Sequence, residues 1–239
     1  TGRKTDKFGI DWTLAPALYR TARELPGIDP AGVAVHIGSQ ITNLAPFEAA
    51  FLRVRDLVVM LRADGFDIRT VDLGGGLGVP YAHKDKTNPP SPQEYGEMVR
   101  RTVGDLGCKL AFEPGRVITG NAGILVTRVT FVKEAVDRRF VIVDAGMNDL
   151  IRPAMYDAHH DVLTVVEPPL TEALRTAVKS GDLMAFLTAG AYGAVMASSY
   201  NTRPLVPEVL VDGSKFAVVR RRPSFEEMIA LEQPPHWGE

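Results

Sequence analysis

Apolar and polar positions alternate along this chain in two textures. In the first half, three short apolar runs each end in polar residues and glycine. They are Val33-Ala34-Val35-His36-Ile37-Gly38-Ser39-Gln40, Val71-Asp72-Leu73-Gly74-Gly75-Gly76-Leu77-Gly78-Val79-Pro80-Tyr81, and Leu110-Ala111-Phe112-Glu113-Pro114-Gly115-Arg116. The spacing is regular: His36 to Gly74 is 38 residues and Gly74 to Glu113 is 39. Between the runs, apolar residues recur at helical spacing, as at Phe47, Phe51, Val54, Leu57, Val58 and Leu61. The pattern predicts strands over Gly32–Ile37, Ile68–Leu73 and Lys109–Phe112. It predicts helices over Leu14–Glu24, Ala45–Ala63 and Ser91 to about Leu106. Asp11 caps the first helix, Gly65 ends the second, and Ser91 with Glu94 forms a capping box for the third. Repeated β–α units place a site at the strand C-termini.

After Arg116 the texture changes. Ile124–Ala135, Phe140–Asp144, Leu183–Leu187, Val209–Val211 and Phe216–Val219 read as strands, the last two joined by a hairpin at Asp212-Gly213. Ser224–Leu231 reads as a closing helix. The expected division is a β/α domain over residues 1–122 and a mainly β domain over 123–239. The fold class is α/β. A complete eight-unit barrel needs roughly 250 residues, and only three units are visible here. The expectation is therefore part of a (β/α)8 barrel whose first portion lies outside this sequence, an expectation favoured by the absence of an initial Met.

Bulk composition narrows the function classes. The chain has 239 residues, 45% of them hydrophobic, with 27 basic and 29 acidic residues and a net charge of −2. That balance suggests no nucleic-acid or membrane partner. One cysteine, Cys108, excludes an intramolecular disulfide and any cysteine-built metal site. A reducing, cytoplasmic setting is the expectation.

The glycine cluster allows close approach of backbone to a ligand, and successive N–H groups in such a turn form an anion site. The alternative is a tight turn with no ligand. Glu113 at a strand end suits a cofactor ring nitrogen, a general base, or an ion pair with Arg116. Arg116 suits phosphate or carboxylate. His36 suits ring stacking, acid–base work, or simple burial. Ser39 suits a phosphate or a turn. Arg152 and Tyr156, four apart, share a face if helical, gripping a carboxylate or pairing on the surface. Tyr192 lies between Gly190 and Gly193, open to close approach or packed in a bend. His159-His160 is half a metal site with no third ligand at sensible spacing, so no metal is expected.

Six motifs in order carry a resemblance. They are His36-Ile37-Gly38-Ser39-Gln40, Asp72-Leu73-Gly74-Gly75-Gly76-Leu77-Gly78, Glu113-Pro114-Gly115-Arg116, Asp144-Ala145-Gly146-Met147-Asn148, Arg152-Pro153-Ala154-Met155-Tyr156 and Gly190-Ala191-Tyr192-Gly193. The chain resembles the diaminopimelate decarboxylases, pyridoxal-phosphate enzymes with an alanine-racemase-like barrel and a β domain. The resemblance implies decarboxylation of meso-2,6-diaminopimelate to L-lysine with pyridoxal 5′-phosphate, in a homodimer with a shared active site. It implies that His36 stacks on the pyridine ring and that Glu113 faces its nitrogen. Ser39, Gly75, Gly76, Gly115 and Arg116 would cradle the phosphate. Arg116, Arg152 and Tyr156 would bind substrate, and Tyr192 would touch cofactor and substrate. Alternatives are a related arginine- or ornithine-type decarboxylase, or a cofactor-binding protein without activity. The family's cofactor-carrying lysine falls ahead of Thr1, and its Cys-Glu segment has no counterpart between Val166 and Lys179. No catalytic residue is therefore assigned.

Overall fold

The computed structural model describes residues 7–82, 88–166, 178–230 and 232–235. It divides into two compact units, Thr1–Gly120 and Asn121–Glu239.

In the first unit, β1 (Gly32–Ala34), β2 (Thr70–Asp72) and β3 (Lys109–Ala111) form a parallel sheet in that order. The register aligns Ala34, Asp72 and Ala111 in one row. Pairing persists one step further through Val35 N–H to Asp72 O and Leu73 N–H to Ala111 O, both about one standard hydrogen bond in length at 2.9 and 3.0 Å. The strands are shorter than the apolar runs because the chain then turns out of the ladder into the site loops. Helices α1 (Ala15–Glu24), α2 (Leu44–Ala63) and α3 (Pro92–Val103) cover one face. Asn43 caps α2 by accepting from Ala45 N–H, and Ser91 and Glu94 complete the capping box of α3.

Alternation explains the core. Val33, Val71 and Leu73 face the helices and meet Phe47, Phe51, Val58 and Leu61 of α2 and Met98, Val99 and Val103 of α3. The Tyr95 ring packs edge-on against Phe47 at 5.2 Å, and burial pushes its phenol up to about 12. At the opposite end of the sheet from the site loops, Arg62 donates to the Ile68 and Leu106 carbonyls, and its Nη2 lies 3.0 Å from Cys108 Sγ. Helix α3 stops at Val103 rather than near Leu106. The chain turns through Gly104 and then Gly107 at φ +66°, leaving Leu106 buried as a core plug outside the helix. A short α4 (Arg116–Thr119) follows the third site loop.

The second unit is mainly β. Its sheet runs β5-β4-β7-β6, all antiparallel, built from β4 (Leu125–Glu134), β5 (Arg139–Val143), β6 (Val162–Thr164) and β7 (Leu183–Phe186). Strand β4 pairs with β7 over its first half and with β5 over its second, with a register shift between Val129 and Phe131. Helix α5 (Arg152–Tyr156) interrupts the strands. Strands β8 (Glu208–Asp212) and β9 (Lys215–Arg220) make a separate hairpin. Its two loop residues are Gly213 and Ser214, with Gly213 at φ +59°, so the turn lies one residue beyond Asp212-Gly213. Both faces of this hairpin are apolar and exposed: Leu210 is 64% and Phe216 76% accessible. Helix α6 spans Phe225–Ile229, capped by Ser224, and Leu231 lies outside the described residues. The sequence pattern missed β6, three residues whose only partner is β7.

Candidate active site

The site begins where the parallel strands end. On each strand, alternate residues face away from the helices. Ala34, Asp72 and Ala111 form one such row, and the next positions on that face are His36, Gly74 and Glu113. The glycine turn threads between them. Gly74 sits at φ +65°, and a Cβ there would lie 2.3 Å from Val35 O and 3.3 Å from His36 Nδ1. A Cβ on Gly75 would lie 2.3 Å from Glu113 O. Only glycine lets this turn pass between the flanking strand ends. Glu113 N–H donates to Gly74 O at 2.9 Å, and the Asp72 carboxylate accepts Gly74 N–H at 2.8 Å. Asp72 therefore sets the turn, a role the sequence pattern did not assign.

Three loops meet at the rim. Arg116 Nη2 donates to Ser39 Oγ at 3.0 Å, and Arg116 Nη1 donates to the Tyr81 hydroxyl. The guanidinium also lies over the Tyr81 ring, 5.7 Å from its centroid. This brings together one guanidinium and two hydroxyls from three loops 35 and 77 residues apart in sequence. Tyr81 closes the glycine-rich run, but nothing in its spacing marks it as a partner of Arg116. Gly115 has open space where a Cβ would stand.

An apolar cavity of about 350 Å³ adjoins the turn, lined by Gly74, Gly75, Tyr95, Phe112, Pro114 and Val117 among others. Its Tyr95 and Phe112 walls belong to the helix-covered side, whereas His36 and Glu113 are on the opposite face. No charged side chain lines it. The polar chemistry is therefore at the strand-end row and the Arg116 rim.

Arg152, Tyr156 and Tyr192 belong to the second unit. Arg152 and Tyr156 are the first and last residues of α5, but their surroundings differ. Arg152 is 7% exposed and Tyr156 61%. Arg152 Nη1 lies 2.8 Å from His160 Nε2, and His160 Nδ1 lies 2.8 Å from Leu187 O. A carbonyl only accepts, so Nδ1 carries the proton and Nε2 accepts from Arg152. His159 instead pairs with Asp161 at 2.7 Å. Among the described residues, no group of three His, Cys, Asp or Glu side chains could hold a metal. Tyr192 is 44% exposed at φ +60°. The glycines around it admit the chain's own backbone: a Cβ on Gly193 would lie 2.3 Å from Ala189 O, and Gly190 packs against Gly123. Asp144 accepts from the Thr127 hydroxyl at 2.6 Å and from Arg128 N–H, which hold its carboxyl below the usual range.

A family model described as the pyridoxal binding domain of pyridoxal-dependent decarboxylases matches residues 1–120. The chain belongs to this family. Among curated relatives, the diaminopimelate decarboxylase of Zymomonas mobilis is 46% identical over 99% of this chain and 60% of its own length. That of Vibrio cholerae is 43% identical over 97% of this chain and 60% of its own. The chain thus spans about 60% of the length of the curated relatives it matches. Among solved structures, the Helicobacter pylori diaminopimelate decarboxylase complexed with L-lysine superposes with a TM-score of 0.87 at 33% identity, over 97% of this chain and 62% of that one. The first unit is the barrel-type β/α part of this family's fold, and the second is its mainly β part.

The strand-end row and rim fit the family's cofactor. A guanidinium and a serine hydroxyl 3.0 Å apart, beside a glycine turn that a Cβ would fill, suit a phosphate monoester.

Proposed function

We propose that this chain serves the decarboxylation of meso-2,6-diaminopimelate to L-lysine with pyridoxal 5′-phosphate. The observation that carries the reading is the Ser39–Arg116–Tyr81 rim beside the glycine turn, with His36 and Glu113 on the adjoining strand ends.

Pyridoxal phosphate, when bound, supplies a sink for the electron pair left as CO₂ departs. The chain's own residues do the rest. Arg116 and Ser39 would hold the phosphate, with the backbone of Gly75, Gly76 and Gly115. His36 would pack on the ring. Glu113 would favour a proton on the pyridine nitrogen, because a nearby carboxylate favours the charged ring. By the family resemblance Arg152, Tyr156 and Tyr192 would bind substrate; Tyr156 and Tyr192 are open to solvent, whereas Arg152 is buried against His160. In the net reaction the bond from the α-carbon to its carboxylate breaks, CO₂ leaves and one proton is added to that carbon. The proton donor is not assigned: Cys108 Sγ lies within 3.6 Å of Ile68 O and beside Arg62, in the helix-packed layer.

A homodimer and a cytoplasmic setting belong to the same reading. Among the described residues no helix is long and apolar enough to cross a membrane. The test is L-lysine formation from meso-diaminopimelate by the native protein, against L-arginine and L-ornithine as competing substrates. Turnover of either competitor in preference to diaminopimelate overturns the substrate assignment. A monomer mass by light scattering at micromolar concentration removes the dimer.

A further inference from the structure

The anion rim depends on two loops being held at a fixed separation, and one side chain joins them. After β1 the chain passes Gly38 and Ser39 to Gln40, which takes φ +58°. That left-handed conformation is uncommon for a residue other than glycine. It turns the Gln40 side chain toward the loop after β2. There the amide pairs with both backbone groups of Val79: Nε2 donates to Val79 O at 2.6 Å, and Val79 N–H donates to Oε1 at 3.2 Å. The backbones alongside make two further rungs, Ile41 N–H to Gly76 O at 2.9 Å and Gly78 N–H to Ile41 O at 3.0 Å. Packing leaves no slack, since a Cβ on Gly76 would lie 2.3 Å from Gly38 O.

We infer that Gln40 is a positioning residue for the phosphate cradle, clasping the glycine loop to the loop that carries Ser39. This rests on the reading of Ser39, Gly75, Gly76 and Arg116 as that cradle. Gln40 itself need not touch the ligand. Its amide imitates a strand: one donor and one acceptor complete the ladder where the backbone, bent at Gln40, no longer reaches. Without it two rungs of four are lost, and Ser39 and Tyr81 lie on the two segments then free to separate. Tyr81 is two residues beyond Val79, so both hydroxyls that meet Arg116 are set by the same clasp.

The expected effect is selective. A loosened cradle weakens the grip on phosphate and spares contacts to the ring. The test compares pyridoxamine 5′-phosphate with pyridoxamine by calorimetric titration of the full chain. The amine forms are chosen because they make no adventitious adduct with surface lysines. In Gln40→Met both amide bonds are removed at similar side-chain length. Gln40→Asn keeps an amide and tolerates φ > 0, but is one methylene short of Val79. It guards against a first variant that fails to fold. Both variants are expected to lose affinity for the phosphorylated ligand by about tenfold, roughly 1.4 kcal/mol. Pyridoxamine affinity should stay within about twofold of the parent's. A merely structural defect would lower both affinities together, and that result overturns the inference. So does a parent-like phosphate preference in the folded variants. If the parent protein itself shows no preference for the phosphorylated form, the cradle reading fails, and the clasp falls with it.

Discussion

Glu113 and Arg116 stand three residues apart yet are expected to fail differently. Glu113→Gln keeps shape and removes charge, so it weakens the electron sink while the rim of Ser39, Tyr81 and Arg116 stays intact. In the native, active protein kcat should fall about 10²-fold or more, near 2.7 kcal/mol, with cofactor affinity nearly unchanged. Arg116→Ala removes the guanidinium from both hydroxyls and should show first as loss of cofactor in titration. A Glu113→Gln variant turning over at the parent rate would remove Glu113 from the reaction. His160 offers a second check at this scale. Its two hydrogen bonds require the neutral Nδ1–H form, which long-range ¹H–¹⁵N spectra distinguish directly. His160→Ala removes one acceptor from a buried guanidinium and should cost about 1 kcal/mol, read as a lowered denaturation midpoint.

Among the elements, capping residues and periodic faces were legible in the sequence because their rules are local. Ser91 and Glu94 act within one helical turn, and the Phe47–Leu61 spacing needs only the helix itself. Ser91→Ala should destabilise the first unit by about 1 kcal/mol, and Phe51→Ala by about 3–5 kcal/mol through an unfilled core. What escaped depends on distant partners. Strand β6 exists because β7 pairs with it, and its three residues carry no pattern of their own. The roles of Gln40, Asp72 and Tyr81 arise from contacts made after folding, although all three lie in stretches whose composition drew notice. Likewise, the i, i+4 spacing of Arg152 and Tyr156 revealed a shared helix but not that one end is buried on His160. Helix α6 supplies a pH test. Arg221, and then the Ser224 N–H, hold the Glu227 carboxyl down to about 2. A carboxyl depressed by folding stabilises above its unfolded value, near 4.3, and that contribution disappears as pH falls through about 2. A side-chain NMR titration of Glu227 with a midpoint above 4 would contradict the pairing.

For the molecule as a whole, the two units are built differently: the first on a parallel sheet whose strand ends carry the glycine turn, the second on an antiparallel sheet and a separate hairpin. About two-fifths of the curated relatives' length has no counterpart in the match. The β8–β9 hairpin has a consequence of another kind. It offers Leu210, Val211, Phe216 and Val219 to solvent on a chain whose net charge is only −2. Weak mutual repulsion and a sticky ribbon together set a low ceiling on solubility. The osmotic second virial coefficient of the isolated chain should therefore be negative at moderate ionic strength, and sulfate should salt it out early. Phe216→Lys adds a charge in place of the most exposed of the ribbon's large apolar side chains. It should move precipitation to higher sulfate while leaving the unfolding midpoint within about 0.5 kcal/mol of the parent's.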